Sequence, residues 1–145
     1  MRTFIAYVSK GNNPGQLKPF LAAIRDLLVE KGIEVYCTTL DESYDASALT
    51  KREHLFEHSF PIIDTCDFLI ALQLTSIKGE GLLLEAGYCL KAGIPIVVAT
   101  SAEVRDTYLP ELASHTWSWG MDSAELFDQI RQTDFEALLF EWRRP

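Results

Sequence analysis

Hydrophobic positions change their period several times along the chain, and each change marks an element. Residues 3–8 form a short apolar run rich in β formers, followed by Ser9-Lys-Gly-Asn-Asn-Pro-Gly15, which is dense in turn residues. Leu17, Phe20, Leu21, Ile24, Leu27 and Leu28 then recur at helical spacing until Gly32. Residues 33–37 read as a second strand, and the polar span 38–47 as a surface loop ahead of a helix that starts near Thr50. Pro61 is expected to kink or interrupt that helix, whose pattern resumes to Cys66. Residues 67–74 are almost continuously apolar, the pattern of a parallel strand covered on both faces. A helix over 82–91 is capped by Gly93, a further buried strand covers 94–99, and helical patterns return over 124–131 and 135–142. Strands and helices alternate without repeats or low-complexity tracts. The predicted fold is α/β, a single doubly wound parallel-sheet domain over residues 1–145, with about five strands in a flavodoxin- or Rossmann-like three-layer sandwich.

Composition narrows the possible partners. Hydrophobic residues make up 48% of the chain, enough for a substantial core. Lys and Arg number 13 against 21 Asp and Glu, a formal net charge of −8 that repels nucleic acid polymers. Cys37, Cys66 and Cys89 are isolated and odd in number, so they read as reduced, mostly buried thiols and point to the cytoplasm. The apolar run over 4–8 is too short for a signal peptide, and no segment reaches membrane-spanning length, so no membrane partner is expected.

Three groups of residues carry candidate chemistry. His54-Leu-Phe-Glu-His58 places two histidines at i and i+4, the spacing of an inverted zinc-protease motif. Such a site needs a third ligand and a substrate cleft, so the pair is read instead as lying on an exposed or interface face, and no metal is assigned. The 9–15 loop can present backbone N–H groups to a phosphate at the start of the first helix, although it matches neither dinucleotide nor nucleoside-triphosphate fingerprints. Glu85 lies early in a helix just past the carboxyl end of a buried strand, where open α/β sheets place their chemistry. By position alone it is also an ordinary partner for the helix dipole.

The neighbourhood of Glu85 adds a second kind of information. Cys66-Asp-Phe-Leu-Ile-Ala-Leu, a short loop, and then Gly81-Leu-Leu-Leu-Glu85-Ala-Gly87-Tyr-Cys-Leu-Lys-Ala-Gly93-Ile-Pro-Ile-Val-Val resemble the nucleoside 2-deoxyribosyltransferase superfamily, which includes 2'-deoxynucleoside 5'-monophosphate N-hydrolases. The resemblance covers residues 55–99 and, more loosely, the first loop. It implies cleavage or transfer at the N-glycosidic bond of a nucleoside or its 5'-monophosphate, with Glu85 as nucleophile and no metal or organic cofactor. It implies catalytic parts for Tyr7, as a hydrogen-bond partner of Glu85, for Asp67 at the head of its strand, and for Glu80. Ser9, Lys10 and Gly11 resemble the phosphate-holding loop, with Gly79, Gly81 and Ser101 as further contacts. A helix-start position is expected to lower the Glu85 pKa. The family assembles as dimers or larger oligomers, so a homo-oligomer is expected.

The chain departs from the family pattern at three places. Gly79 stands where the transferases carry an acidic residue, with Glu80 one place later; Ser59 stands where an Asp is expected; and Ile5 takes the usual tyrosine register, with Tyr7 two residues on. Two other readings therefore stay open: a nucleotide-binding module of the same fold without cleavage, and a TIR-like NAD-cleaving or interaction domain. Trp117, Trp119, Phe135, Leu138, Leu139, Phe140 and Trp142 are read mainly as core and tail-docking residues, and alternatively as a subunit interface with His54 and Phe56.

Overall fold

The computed structural model describes residues 1–144. Its strands β1 (Arg2–Tyr7), β2 (Glu34–Tyr36), β3 (Phe68–Gln73), β4 (Ile96–Ser101) and β5 (His115–Trp119) form one sheet in the order β2-β1-β3-β4-β5. Every neighbouring pair is parallel, with Ile5 opposite Ile70, Ile70 opposite Val97, and Val97 opposite His115. The helical elements are α1 (Pro14–Glu30), two 3₁₀ turns (Thr38–Leu40 and Ala46–Ala48), α2 (Lys51–Glu53), a π-helical turn (His54–Ser59), α3 (Phe60–Ile63), α4 (Glu80–Ala92), α5 (Leu109–Leu112), α6 (Ala124–Gln132) and α7 (Phe135–Trp142).

Side-chain alternation along the strands divides the core into two layers. Ile5, Ile70, Leu72, Val97 and Trp117 face α1, α6 and α7, where Leu21, Ile24, Leu126, Ile130 and Phe135 meet them. Phe4, Ala6, Leu69, Ala71 and Val98 face the other way, against Ile63 of α3 and Leu82, Ala86 and Cys89 of α4. Helices on both faces of an all-parallel sheet make this the expected doubly wound α/β fold. β3 is buried along its whole length, as its unbroken apolar sequence requires.

The strand order sets the position of the site. From β1 the chain crosses by α1 to β2 on one side, whereas β3 lies on the other side of β1, so the loops leaving β1 and β3 diverge. A crevice at the carboxyl ends of strands so arranged is the customary ligand position of the fold.

Several elements differ from the sequence reading in informative ways. β5 is the strand that no single expected segment located: His115–Trp119 alternates, burying Trp117 and Trp119 while Thr116 and Ser118 face outward, and it is short and lies at the sheet edge. Pro61 leaves the helix continuous. Its missing N–H and its ring disturb the preceding turn, and the chain responds by widening to the π-helical turn, in which the Phe60 N–H bonds the Leu55 carbonyl. α4 begins at Glu80, two residues earlier than the apolar pattern, and ends as expected at Gly93 in the left-handed region with φ 72°. Of the aromatic tail residues, Trp117, Trp119 and Phe135 belong to the core with Leu139, while Phe140 is exposed.

Candidate active site

α4 presents Leu82, Glu85, Ala86 and Cys89 inward, at the i, i+3, i+4, i+7 spacing of a buried stripe. Glu85 thus occupies a core-facing position otherwise filled by apolar side chains, and only 6% of it remains exposed. Removing a carboxylate from water favours its protonated form, and burial pushes the Glu85 pKa up from 4.5 to about 7. The sequence expectation was the reverse, a pKa lowered by the helix N-terminus. Glu85 lies beyond the first turn of α4, where the dipole is felt most strongly, so desolvation dominates.

Ser59 opposes that rise. Its hydroxyl is fully buried nearby and favours the charged form of the carboxyl. Ser59 Oγ also lies 3.3 Å from His54 Nε2, and His54 Nδ1 pairs with the Tyr44 hydroxyl. His58 stacks on Tyr44 with ring centroids 4.2 Å apart, and its Nε2 is 2.9 Å from the Tyr36 hydroxyl, which donates to Asp41 Oδ2 at 2.8 Å. The histidines are half-buried among tyrosines, less open than the exposed face expected of them. The π-helical turn explains the geometry: it brings residues five apart together, so His54 reaches Ser59, a relation that an α-helical reading of the motif hides.

The remaining expected site residues separate into distinct places. Tyr7 points to the α1 face of the sheet, whereas α4 packs on the other face. Its hydroxyl pairs with Thr39, and burial raises its pKa, so the expected bond to Glu85 is replaced by one to the loop after β2. Asp67 sits at the opposite end of β3 from the crevice, separated by a strand that rises ~3.3 Å per residue. Its carboxylate accepts from the Arg2 backbone N–H at 2.8 Å and from Arg143 at 2.6 Å, a structural clamp on β1 and the tail. Glu80 is the exposed first residue of α4. The Ser101 hydroxyl donates to the Leu74 carbonyl and accepts from the Glu103 N–H at 3.3 Å, which ties the loops after β3 and β4 together.

The proposed phosphate loop and the start of α4 are held against each other by two glycines. Gly11 has φ 80°, and a Cβ there would stand 2.2 Å from Ile77 Cδ1. A Cβ on Gly79 would stand 3.0 Å from Val8 Cγ2, so the position that is acidic in the transferases admits no side chain here unless Val8 moves. Ser9, Lys10 and Gly11 are thereby brought beside Lys78 and Gly79, all at the carboxyl edge of the sheet. Gly81 adjoins Glu85, with space for a Cβ 3.9 Å from Oε1. A cleft of about 40 Å³ opens at this edge between Gln73, Lys78, Gly79, Leu82, Thr107 and Tyr108. Gln73, a buried polar residue ending β3, was missed by the sequence reading, because it terminates an apolar run without any motif. A much larger hollow, about 590 Å³, lies outside the crevice between Leu55, Phe56, Phe60, Leu83, Leu84 and Tyr88; it is open and apolar, and Glu85 does not line it.

The result is a doubly wound α/β domain with a carboxyl buried on the helix after β3, and solved structures share the fold. The Clostridium botulinum CMP N-glycosidase BcmB is similar at TM-score 0.65 and 18% identity, over 92% of this chain and 100% of that one. A 2-deoxyribosyltransferase from Bacillus psychrosaccharolyticus is similar at TM-score 0.67 and 16% identity, over 95% and 96%. A conserved protein of Enterococcus faecalis V583 is similar at TM-score 0.55 and 16% identity, over 99% and 97%. No protein-family model matches the chain, and no curated protein matches it. At 16–18% identity these likenesses are likenesses of fold.

Burial of Glu85 has a consequence for stability. Its folded pKa lies above 4.5, so the folded state binds the proton more tightly; the associated stability is complete below about pH 4.5 and is lost as pH rises to about 7. We expect Glu85→Gln, which stays neutral, to gain stability over the wild type between pH 5 and pH 8 by on the order of 3 kcal/mol. Urea unfolding at the two pH values measures this, and an equal difference at both would show that the carboxyl is not desolvated.

Proposed function

We propose that the protein cleaves, or transfers at, the N-glycosidic bond of a nucleoside or its 5'-monophosphate, with Glu85 as the nucleophile. The observation that carries this reading is the Glu85 carboxyl buried on the helix after β3, in a fold shared with an N-glycosidase and a deoxyribosyltransferase. The ionised carboxylate attacks C1' as the C1'–N bond breaks, and the bonding pair leaves with the base, which takes up a proton. The transition state has oxocarbenium character, and a carboxylate beneath C1' stabilises it and traps the sugar as an ester. Water, or the nitrogen of a second base, then attacks C1' and releases Glu85.

A 5'-phosphate fits the opposite end of the crevice. Lys10 and Lys78 are the cations of the two loops that Gly11 and Gly79 hold in contact, and Gly79 caps α4 with no side-chain hydrogen bond, leaving the N–H groups of the first turn for an anion. With a net charge of −8 the surroundings repel an anion elsewhere, so these loops supply the local offset.

Assembly belongs to the same proposal. Phe56, Leu83 and Leu84 are each more than 40% exposed and rim the open apolar hollow beside the π-helical turn, which supports a homo-oligomer formed through this face and not through the aromatic tail. Light scattering after size-exclusion chromatography is expected to give a dimer or larger species for the wild type and a monomer for Leu84→Glu. A wild-type monomer would refute the interface.

The activity test is release of free base from ribo- and deoxyribonucleosides, their 5'-monophosphates and NAD. Release from nucleosides or monophosphates is expected, increasing as Glu85 ionises near pH 7 and falling by about 10³-fold or more in Glu85→Gln. Thermal stabilisation by these compounds without release would make the domain a binding module. Preferential release from NAD would select the NAD-cleaving alternative.

A further inference from the structure

The buried hydroxyls of this chain are answered within it. Thr3 donates to the Phe68 carbonyl at 3.0 Å, and Ser59 Oγ lies 3.3 Å from His54 Nε2. Gln73 differs. The residue is only 2% exposed, yet among the described residues its side-chain amide has no hydrogen-bond partner. Strand alternation puts it on the α4 face of the sheet with Leu69 and Ala71, at the carboxyl end of β3, where it lines the cleft of about 40 Å³. Leaving an amide unpaired there is unfavourable, so the group calls for a partner from outside the chain.

The start of α4 opens on the same cleft through Lys78, Gly79 and Leu82. The first bond of the helix ladder runs from the Leu83 N–H to the Gly79 carbonyl at 3.2 Å, which leaves the N–H groups of Glu80, Gly81 and Leu82 ahead of it. No side chain caps them, and contact with Val8 leaves no room at Gly79 for one. The opposite wall is held in place by Ser76, whose hydroxyl donates to the Glu103 carbonyl at 2.9 Å and accepts from the Arg105 N–H at 2.8 Å. The cleft is not much larger than the ~30 Å³ share of one liquid water. It therefore excludes a base or sugar ring and admits the oxygens of a compact anion entering beside Tyr108, which is 76% exposed at its mouth.

We infer that Gln73 is a phosphate-recognition residue, its amide donating to the 5'-phosphoryl group of a bound nucleotide in the cleft between the loops after β3 and β4. The inference deepens the proposed function and rests on it for the nucleotide, whereas binding of the anion needs no turnover. The cleft sets the Gln73 amide, the first-turn N–H groups of α4 and the Lys78 ammonium around one small space, and each of these donates; Glu80, the acidic residue of that turn, is exposed and does not line it. A neutral buried donor also acts differently from the exposed lysine, because salt screens the charge of Lys78 and not the Gln73 hydrogen bond.

The test is a ¹H–¹⁵N NMR titration with inorganic phosphate. The Gln73 side-chain NH₂ pair is identified as the resonances missing from Gln73→Met, which keeps the length of the side chain without its amide. Saturable shifts of that pair and of the Gly81 and Leu82 N–H groups are expected, displaced when a nucleoside 5'-monophosphate is added. Gln73→Met is expected to bind phosphate about tenfold more weakly, by a ratio that high salt leaves in place, and to unfold at no lower temperature than the wild type, since it removes an unpaired amide. Signals that stay still, an unchanged affinity in Gln73→Met, or a lowered unfolding temperature that marks Gln73 as a structural hydrogen-bonder would overturn the inference. Phosphate that a monophosphate does not displace would overturn it too, by making the cleft a site for the free anion. Base release from the same two proteins separates the inference from the chemistry it accompanies. A rise in KM for monophosphates that exceeds the rise for nucleosides supports both, whereas monophosphate binding at Gln73 in a protein that releases no base leaves the inference standing and refutes the proposed cleavage.

Discussion

The structure around the crevice depends on one arrangement, a carboxyl seated where the fold needs a hydrophobe. The inner face of α4 must pack on β1, β3 and β4, and Leu82, Ala86 and Cys89 do so. Glu85 stands among them, 94% withdrawn from solvent and raised to about pKa 7. An unpaired carboxylate in such surroundings is unfavourable, so the nearby polar groups matter more than they would on a surface. Ser59, whose hydroxyl favours the charged form, ends the π-helical turn, where its Oγ lies 3.3 Å from His54 Nε2 and His54 pairs with Tyr44. A helix without Pro61 would have no evident reason to widen there, and His54 would then face elsewhere.

Much of the architecture was legible because buried parallel strands and amphipathic helices leave strong marks. β3 reads as an unbroken apolar run, α1 as a clear helical period, and the final helix matches its predicted limits, Phe135–Trp142. β5 was not located, since it buries only alternate residues and follows a polar connection. The two-sided burial implied by the apolar strands carried the fold class, while the order β2-β1-β3-β4-β5 came only with the structure.

The site was legible in part, and the errors have physical causes. Glu85 was singled out from its place after β3, but its pKa direction was misjudged because linear position reveals the helix dipole and not the depth of burial. Tyr7 was paired with Glu85 on the family resemblance, yet strand alternation sends it to the other face, where its hydroxyl pairs with Thr39. Asp67 carried a family role by position and is a clamp at the far end of the sheet. The histidines were set aside because the motif was weighed as a metal site on an α-helix; their spacing to Ser59 has meaning only on a π-helical turn. Gly79 shows the opposite case, a departure from the pattern that the contact with Val8 explains directly.

The central claim is that Glu85 forms a covalent ester with the sugar, and trapping that ester tests it most directly. A nucleoside or monophosphate carrying fluorine at C2' destabilises the oxocarbenium-like transition states and slows breakdown of the ester. Incubation followed by intact-protein and peptide mass spectrometry is predicted to show one fluorosugar adduct per chain, located on Glu85. Turnover of the unmodified substrate with no adduct on Glu85, or with the adduct on another residue, would contradict the account.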